Sequence, residues 1–231
     1  MFPIHDDNPT SITPVVTIGL IGVCTVVFLW QISLGPQFGQ TIVYSFGVIP
    51  AVLLNFADLP PQLVVLPPEI TIITSMFLHG SFLHLAGNML YLWIFGNNVE
   101  DSMGHFRFIL FYLLCGTAAA LFQVFMNPES TIPMIGASGA ISGILGAYLL
   151  LYPHARVLVA FPIFFFIHTI EIPAMIVLIM WFLMQVISNA ASVSGQGGVA
   201  FGAHIGGFIA GMILIPFFKY RHVTLFHSER H

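Results

Sequence analysis

The sequence predicts an all-α fold, a polytopic bundle of about six transmembrane helices. Three observations predict it: the composition, the lengths of the apolar runs, and the placement of the few charges. Of the 231 residues, 58% are hydrophobic and only 6% are charged. Soluble domains carry about 25% charged residues, and the mean hydropathy here is +0.97. Lipid is the solvent such a surface requires.

A spanning helix needs about 20 mostly apolar residues. Six segments approach that length: Pro14 to Leu34, Phe82 to Asn97 (with a start as early as Ile72), Phe106 to Met126, Ser138 to Tyr152, Ile172 to Ile187 and Val199 to Tyr220. The second and fourth are short, which a helix tolerates when protein surrounds its ends. Val157 to Ile167 is too short to span and is broken by Pro162, so it reads as a hairpin or interfacial piece. Thr41 to Thr74 is apolar but broken by five prolines, and reads as part of a long first loop over about 36–75 lying on or partly in the membrane surface. The chain divides into a tail over 1–13, a helical domain over 14–220 and a second tail over 221–231.

Charge placement gives the orientation. The five basic residues are Arg107, Arg156, Lys219, Arg221 and Arg230. With this span count all of them fall on one face, and basic residues stay cytoplasmic. Both termini are therefore expected in the cytoplasm of a cell with the chain in its cell membrane. The N-terminus has no Lys or Arg before Pro14, unlike the basic start of a cleaved signal peptide. Net charge is −4 with no basic run, which argues against a nucleic-acid partner. Cys24 and Cys115 both sit in apolar runs, which argues against a disulfide framework or a thiolate metal site.

Polar groups inside a bilayer are costly and mark function by default. His79, His84 and Asn88 cluster at the second span, and His84 and Asn88 are four apart, so they share a helix face. The fourth span opens Ile135-Gly136-Ala137-Ser138-Gly139, and the sixth opens Phe201-Gly202-Ala203-His204. Spans two, four and six all start from the outer face, which brings these groups to one shallow layer. Gly139, Gly143 and Ala147, and Ala203, Gly207 and Gly211, recur at four-residue steps. That spacing lets two membrane helices approach closely.

Close approach is what a Ser–His hydrogen bond between helices needs. A serine hydroxyl becomes a nucleophile when a base removes its proton, and His204 is placed to act on Ser138. The Ser138 N–H, the His84 ring and the Asn88 amide are candidate oxyanion donors. No acidic residue lies in these segments, so a dyad is expected, with His204 held by packing alone. Plainer readings exist for each part: Ser138 as a helix cap, His84 with Asn88 as an interhelical polar pair, and His204 as a buried histidine. Ser142 is a rival nucleophile. A metal site on His79, His84 and His204 would lack a carboxylate, and no HExxH run is present.

These motifs resemble the rhomboid intramembrane proteases over about Val15 to Phe218. The carrying residues are His79-x4-His84-x3-Asn88, Gly136-Ala-Ser138-Gly139 and Ala203-His204-x2-Gly207-x3-Gly211, with Phe95-Gly96, Glu100 and Gly104 in the connection from the second span to the third. The resemblance implies a serine endopeptidase with Ser138 as nucleophile, His204 as base, and His84 and Asn88 at the oxyanion site. It implies His79 as a structural residue tying the second span to the first loop. It also implies no cofactor and no metal, and substrates that are membrane proteins with a transmembrane helix, cut near its outer end. Entry would pass the fifth span and the loop Ser192 to Gly198. Two features depart from many members: the first loop lacks a Trp-Arg pair, and Ser142 stands where an aromatic usually follows the serine. The alternatives are a catalytically inactive relative that binds transmembrane helices, and a small-solute channel or transporter. The oligomeric state is not legible in the sequence.

Overall fold

The computed structural model describes residues 2–163, 166–191 and 199–226. Its long helices are α1 (Val15–Ser33), α5 (Phe82–Met103), α6 (His105–Met126), α7 (Ser138–Leu151), α8 (Ala174–Ala191) and α9 (Phe201–Phe218). Between α1 and α5 lie α2 (Gly35–Phe46), the single turns α3 (Pro50–Leu53) and α4 (Thr71–Thr74), and short 3-10 turns.

Helices α1, α6, α8 and α9 are each long and apolar enough to cross a membrane. Helix α5 qualifies only together with the short helical segment Pro68–Phe77, from which it is bent by 80°. Helix α7 has 14 residues, below the usual spanning length of about 20. Among the described residues, the helices long and apolar enough to cross a membrane therefore number four, or five with the bent pair, and a second span starting near Ile72 would be two helices joined at that bend. The bend has a local cause. Ser81 is extended, and its hydroxyl accepts the His84 N–H at 3.1 Å, so α5 starts there.

Helix α7 is the centre of the bundle. Ala140 to Tyr148 is buried without interruption, the pattern of a helix that is apolar all round, and α5, α6, α8 and α9 pack around it. The outer helices carry exposed apolar side chains, among them Val26 and Leu29 on α1, Leu183 on α8 and Ile213 on α9. A surface of this kind is stable only against lipid or protein. The contact between α7 and α9 is set by glycine. A Cβ on Gly207 would collide with the Gly139 carbonyl oxygen, and one on Gly211 with that of Gly143.

The expectation of an all-α chain needs one correction. A three-stranded antiparallel sheet, β1 (Phe2–Asp6), β2 (Arg156–Ile163) and β3 (Phe166–Pro173), stands at the end of the bundle where α7 finishes. Val157–Ile163 and Phe166–Ile172 are rich in β-branched and aromatic residues and too short to span, which favours a hairpin. The hairpin reading of that stretch agrees with the structure. Strand β1 comes from the segment expected to be a tail. It is tied down by the buried Asp6, which accepts the Tyr148 hydroxyl, and by Asp7, which accepts the Arg156 N–H at 2.7 Å.

At this same end, Glu100 caps α1, accepting from Val16 N (2.9 Å), Thr17 N (2.8 Å) and Thr17 Oγ1 (2.7 Å). Arg107, Arg156, Lys219 and Arg221 all lie here too. Arg107 donates to the Phe218 carbonyl and sits over the Tyr220 ring, and the Tyr220 N–H reaches Ser102. The first loop is anchored at the opposite end. Val48 and Met134 exchange backbone hydrogen bonds of 3.0 and 2.7 Å, and Thr74 Oγ1 donates to the Phe46 carbonyl at 2.7 Å.

Candidate active site

Helices α5, α7 and α9 all begin at the end away from the sheet, and their first turns border an open cavity of about 1150 Å³. Ser138, the first residue of α7, and His204, in the first turn of α9, face each other across the glycine contact. His204 Nε2 lies 2.8 Å from Ser138 Oγ. That separation is within the reach of proton transfer. Ser142 also borders the cavity, but its hydroxyl is bonded to the Ser138 carbonyl oxygen at 2.6 Å.

Gly136 holds the loop before the serine in place. Its φ of +123° is one that a residue with a side chain rarely adopts, and a Cβ there would meet the His84 ring at 2.7 Å. Its N–H donates to the Ser75 carbonyl at 2.9 Å. The His84 ring therefore lies directly on the backbone that leads into Ser138. His84 Nδ1 accepts the Gly80 N–H at 3.3 Å. In the neutral ring that leaves the hydrogen on Nε2, the nitrogen on the Gly136 side. Asn88 is 8% exposed, and its Nδ2 has no hydrogen-bond partner among the described residues. That atom would lie 3.6 Å from a Cβ on Gly136. Two side-chain donors thus converge beside Ser138.

His79 stands just before the start of α5. Its backbone bonds to the Gln31 side chain of α1, with Gln31 Nε2 donating to the carbonyl at 3.2 Å. Its ring meets the His84 ring edge-on, with centroids 5.0 Å apart. Its backbone ties the start of α5 to α1, and its ring buttresses His84.

The expectation that packing alone holds His204 is also corrected. His204 Nδ1 lies 2.8 Å from Gln185 Oε1 of α8, and Gln185 Nε2 donates to the Trp181 carbonyl at 3.2 Å. The Trp181 ring lies 5.8 Å from the His204 ring at 33°. The aromatic neighbour therefore comes from α8, in place of the position held by Ser142. Sequence reasoning missed Gln185 and Trp181. The available signal was a lone carboxamide in the apolar run Met175 to Ile187. Gln123 of α6 was missed as well, and its Oε1 accepts the Ala203 N–H at 3.1 Å at the start of α9. The segment Ser192 to Gly198, expected as an entry loop, lies outside the described residues.

The Rhomboid domain family matches residues 68–221, which include every histidine, serine and asparagine of this site. Among curated proteins, the chain is 33% identical over 150 residues to Rhomboid protein 1, mitochondrial, of Saccharomyces cerevisiae, covering 63% of this chain and 40% of that protein. It is 42% identical over 78 residues to Rhomboid protease GluP of Bacillus subtilis, covering 34% of this chain and 15% of that protein. It is 27% identical over 203 residues to the Presenilin-associated rhomboid-like protein, mitochondrial, of Mus musculus, covering 86% of this chain and 47% of that protein. The chain spans less than half the length of each of these relatives.

Proposed function

We propose that this chain, which belongs to the rhomboid family, is an intramembrane serine endopeptidase with a Ser138–His204 dyad. The observation that carries the reading is the 2.8 Å bond between His204 Nε2 and Ser138 Oγ at the edge of the cavity. A hydroxyl so placed loses its proton to the imidazole as Oγ attacks a peptide carbonyl. Negative charge then develops on the carbonyl oxygen. The Ser138 N–H, which has no partner within its own helix at this first position, supports that charge together with His84 Nε2–H and Asn88 Nδ2. The imidazolium returns its proton to the leaving amine, and a water molecule repeats the sequence on the acyl-enzyme.

The substrates under this reading are membrane proteins whose transmembrane helix unwinds into the cavity. The catalytic domain is residues 14–220. Arg107, Arg156, Lys219 and Arg221 lie at the end opposite the cavity, which supports cytoplasmic termini and a site near the extracytoplasmic face of the cell membrane. Gly139, Gly207 and Gly211 support the site by letting α7 and α9 meet, and Gly136 by its backbone conformation.

The test uses purified protein with a fluorogenic single-span substrate in proteoliposomes. Ser138→Ala should abolish cleavage, while Ser142→Ala should retain it. Cleavage by Ser138→Ala at the wild-type rate would refute the assignment.

A further inference from the structure

Helix α8 carries one buried carboxamide, Gln185, and it is bonded at both ends. Its Nε2 donates to the Trp181 carbonyl one turn earlier, and its Oε1 meets His204 Nδ1. An amide can be turned end for end, but here only one orientation is satisfied. The reverse would aim Oε1 at the Trp181 carbonyl, placing two acceptors against each other. With Oε1 facing His204, Nδ1 must carry the hydrogen. The neutral ring then presents its lone pair at Nε2, and Nε2 faces the Ser138 hydroxyl.

We propose that Gln185 is a positioning residue that fixes the His204 tautomer and ring plane, so that the site is a Ser–His pair oriented by a carboxamide. This rests on the Ser138–His204 reading of the site. A carboxamide suits the location. It orients the imidazole and stabilises the imidazolium with a neutral dipole, without placing an ionised carboxylate in lipid. The Trp181 ring, on the same α8 face, limits ring rotation from the other side. Among the described residues, the titratable groups that border the cavity with His204 are His84 and Tyr91 of α5, and no Asp, Glu, Lys or Arg lines it. Burial, the neighbouring His84 and the Gln185 hydrogen bond therefore set the pH response of His204.

The experiment compares kcat, KM and the pH profile of wild type, Gln185→Leu and Gln185→Glu, with Ser138→Ala as the control for the dyad itself. Gln185→Leu should lower kcat about tenfold, the loss of one well-placed hydrogen bond, at unchanged KM, with the acid limb moved to lower pH. Gln185→Glu keeps the acceptor facing His204 Nδ1 but sets its second oxygen against the Trp181 carbonyl, so it should regain only part of kcat, and it should move the acid limb to higher pH, because a carboxylate favours the imidazolium. Wild-type kcat in Gln185→Leu would overturn the proposal. If Gln185→Leu does not fold, an unchanged acid limb in Gln185→Glu would overturn it. Failure of the dyad reading is separate: it would appear as cleavage that survives Ser138→Ala.

Discussion

The carbonyl oxygen of Gly139 occupies the place that a side chain on Gly207 would fill. The two backbones touch directly, and the Ser138–His204 hydrogen bond stands one residue above this contact on α7 and three on α9. Helix separation therefore sets the Ser138–His204 distance and, under the proposed mechanism, proton transfer with it. Gly207→Val should destabilise the folded protein by about 2–4 kcal/mol and abolish cleavage even where protein folds. Thermal unfolding in detergent, alongside activity of the folded fraction, measures both. Gly19, with open space around it, provides the contrast: Gly19→Ala should leave stability and activity close to wild type.

Removing either side-chain donor beside Gly136 should act on the transition state. His84→Ala and Asn88→Ala are each expected to lower kcat about 10²–10³-fold, the usual loss for one oxyanion donor. KM should change little, because under the proposed mechanism the charge these groups meet exists only after attack. A rise in KM at constant kcat in steady-state kinetics would contradict this placement.

Glu100 sits beneath α1 with both oxygens engaged. Oε2 takes the Thr17 N–H and hydroxyl, and Oε1 takes the Val16 N–H and approaches His105 Nδ1 at 2.6 Å. A carboxylate at a helix start satisfies orphan N–H groups and complements the helix dipole. Glu100→Ala should cost about 2–4 kcal/mol, and Glu100→Gln distinctly less, since the amide keeps one acceptor. Equal losses in denaturation midpoints would contradict the capping account.

Asp6 gives a pH dependence of stability. Burial against Tyr148 pushes its carboxyl up to about 6 from an ordinary 3.8, and the Tyr148 hydroxyl bond opposes this only in part. The folded state thus binds the proton more tightly than the unfolded state. The corresponding stabilisation is full below the unfolded value near 3.8 and is lost as pH rises through about 6. Wild type should therefore lose unfolding temperature between pH 4 and 6 by more than Asp6→Asn does, because asparagine keeps the shape without the titration. Parallel curves for the two proteins would contradict this.

Much of the architecture could be read from residue order. The apolar lengths of α1, α6, α8 and α9 mark them as membrane-crossing helices, because lipid admits few other solutions for the backbone. Ser138, His204, His84 and Asn88 stood out because polar groups are rare in such segments, and the four-residue glycine steps indicated which helices meet. The small sheet was only half legible. The hairpin could be inferred from short β-branched runs, but β1 lies about 150 residues away in sequence from the strand it joins. No local signal announces such a pairing.

The sequence by itself determined the solvent, the helices and the set of polar groups that lipid would not accept without a partner. Only the tertiary structure decided which partner each group takes. Gln185 reads as one polar residue in an apolar helix until α8 packs beside α9 and sets its oxygen 2.8 Å from His204. The physical reason is range. Hydropathy and helix period act between residues a few positions apart, whereas hydrogen-bond geometry across helices depends on how whole backbones dock.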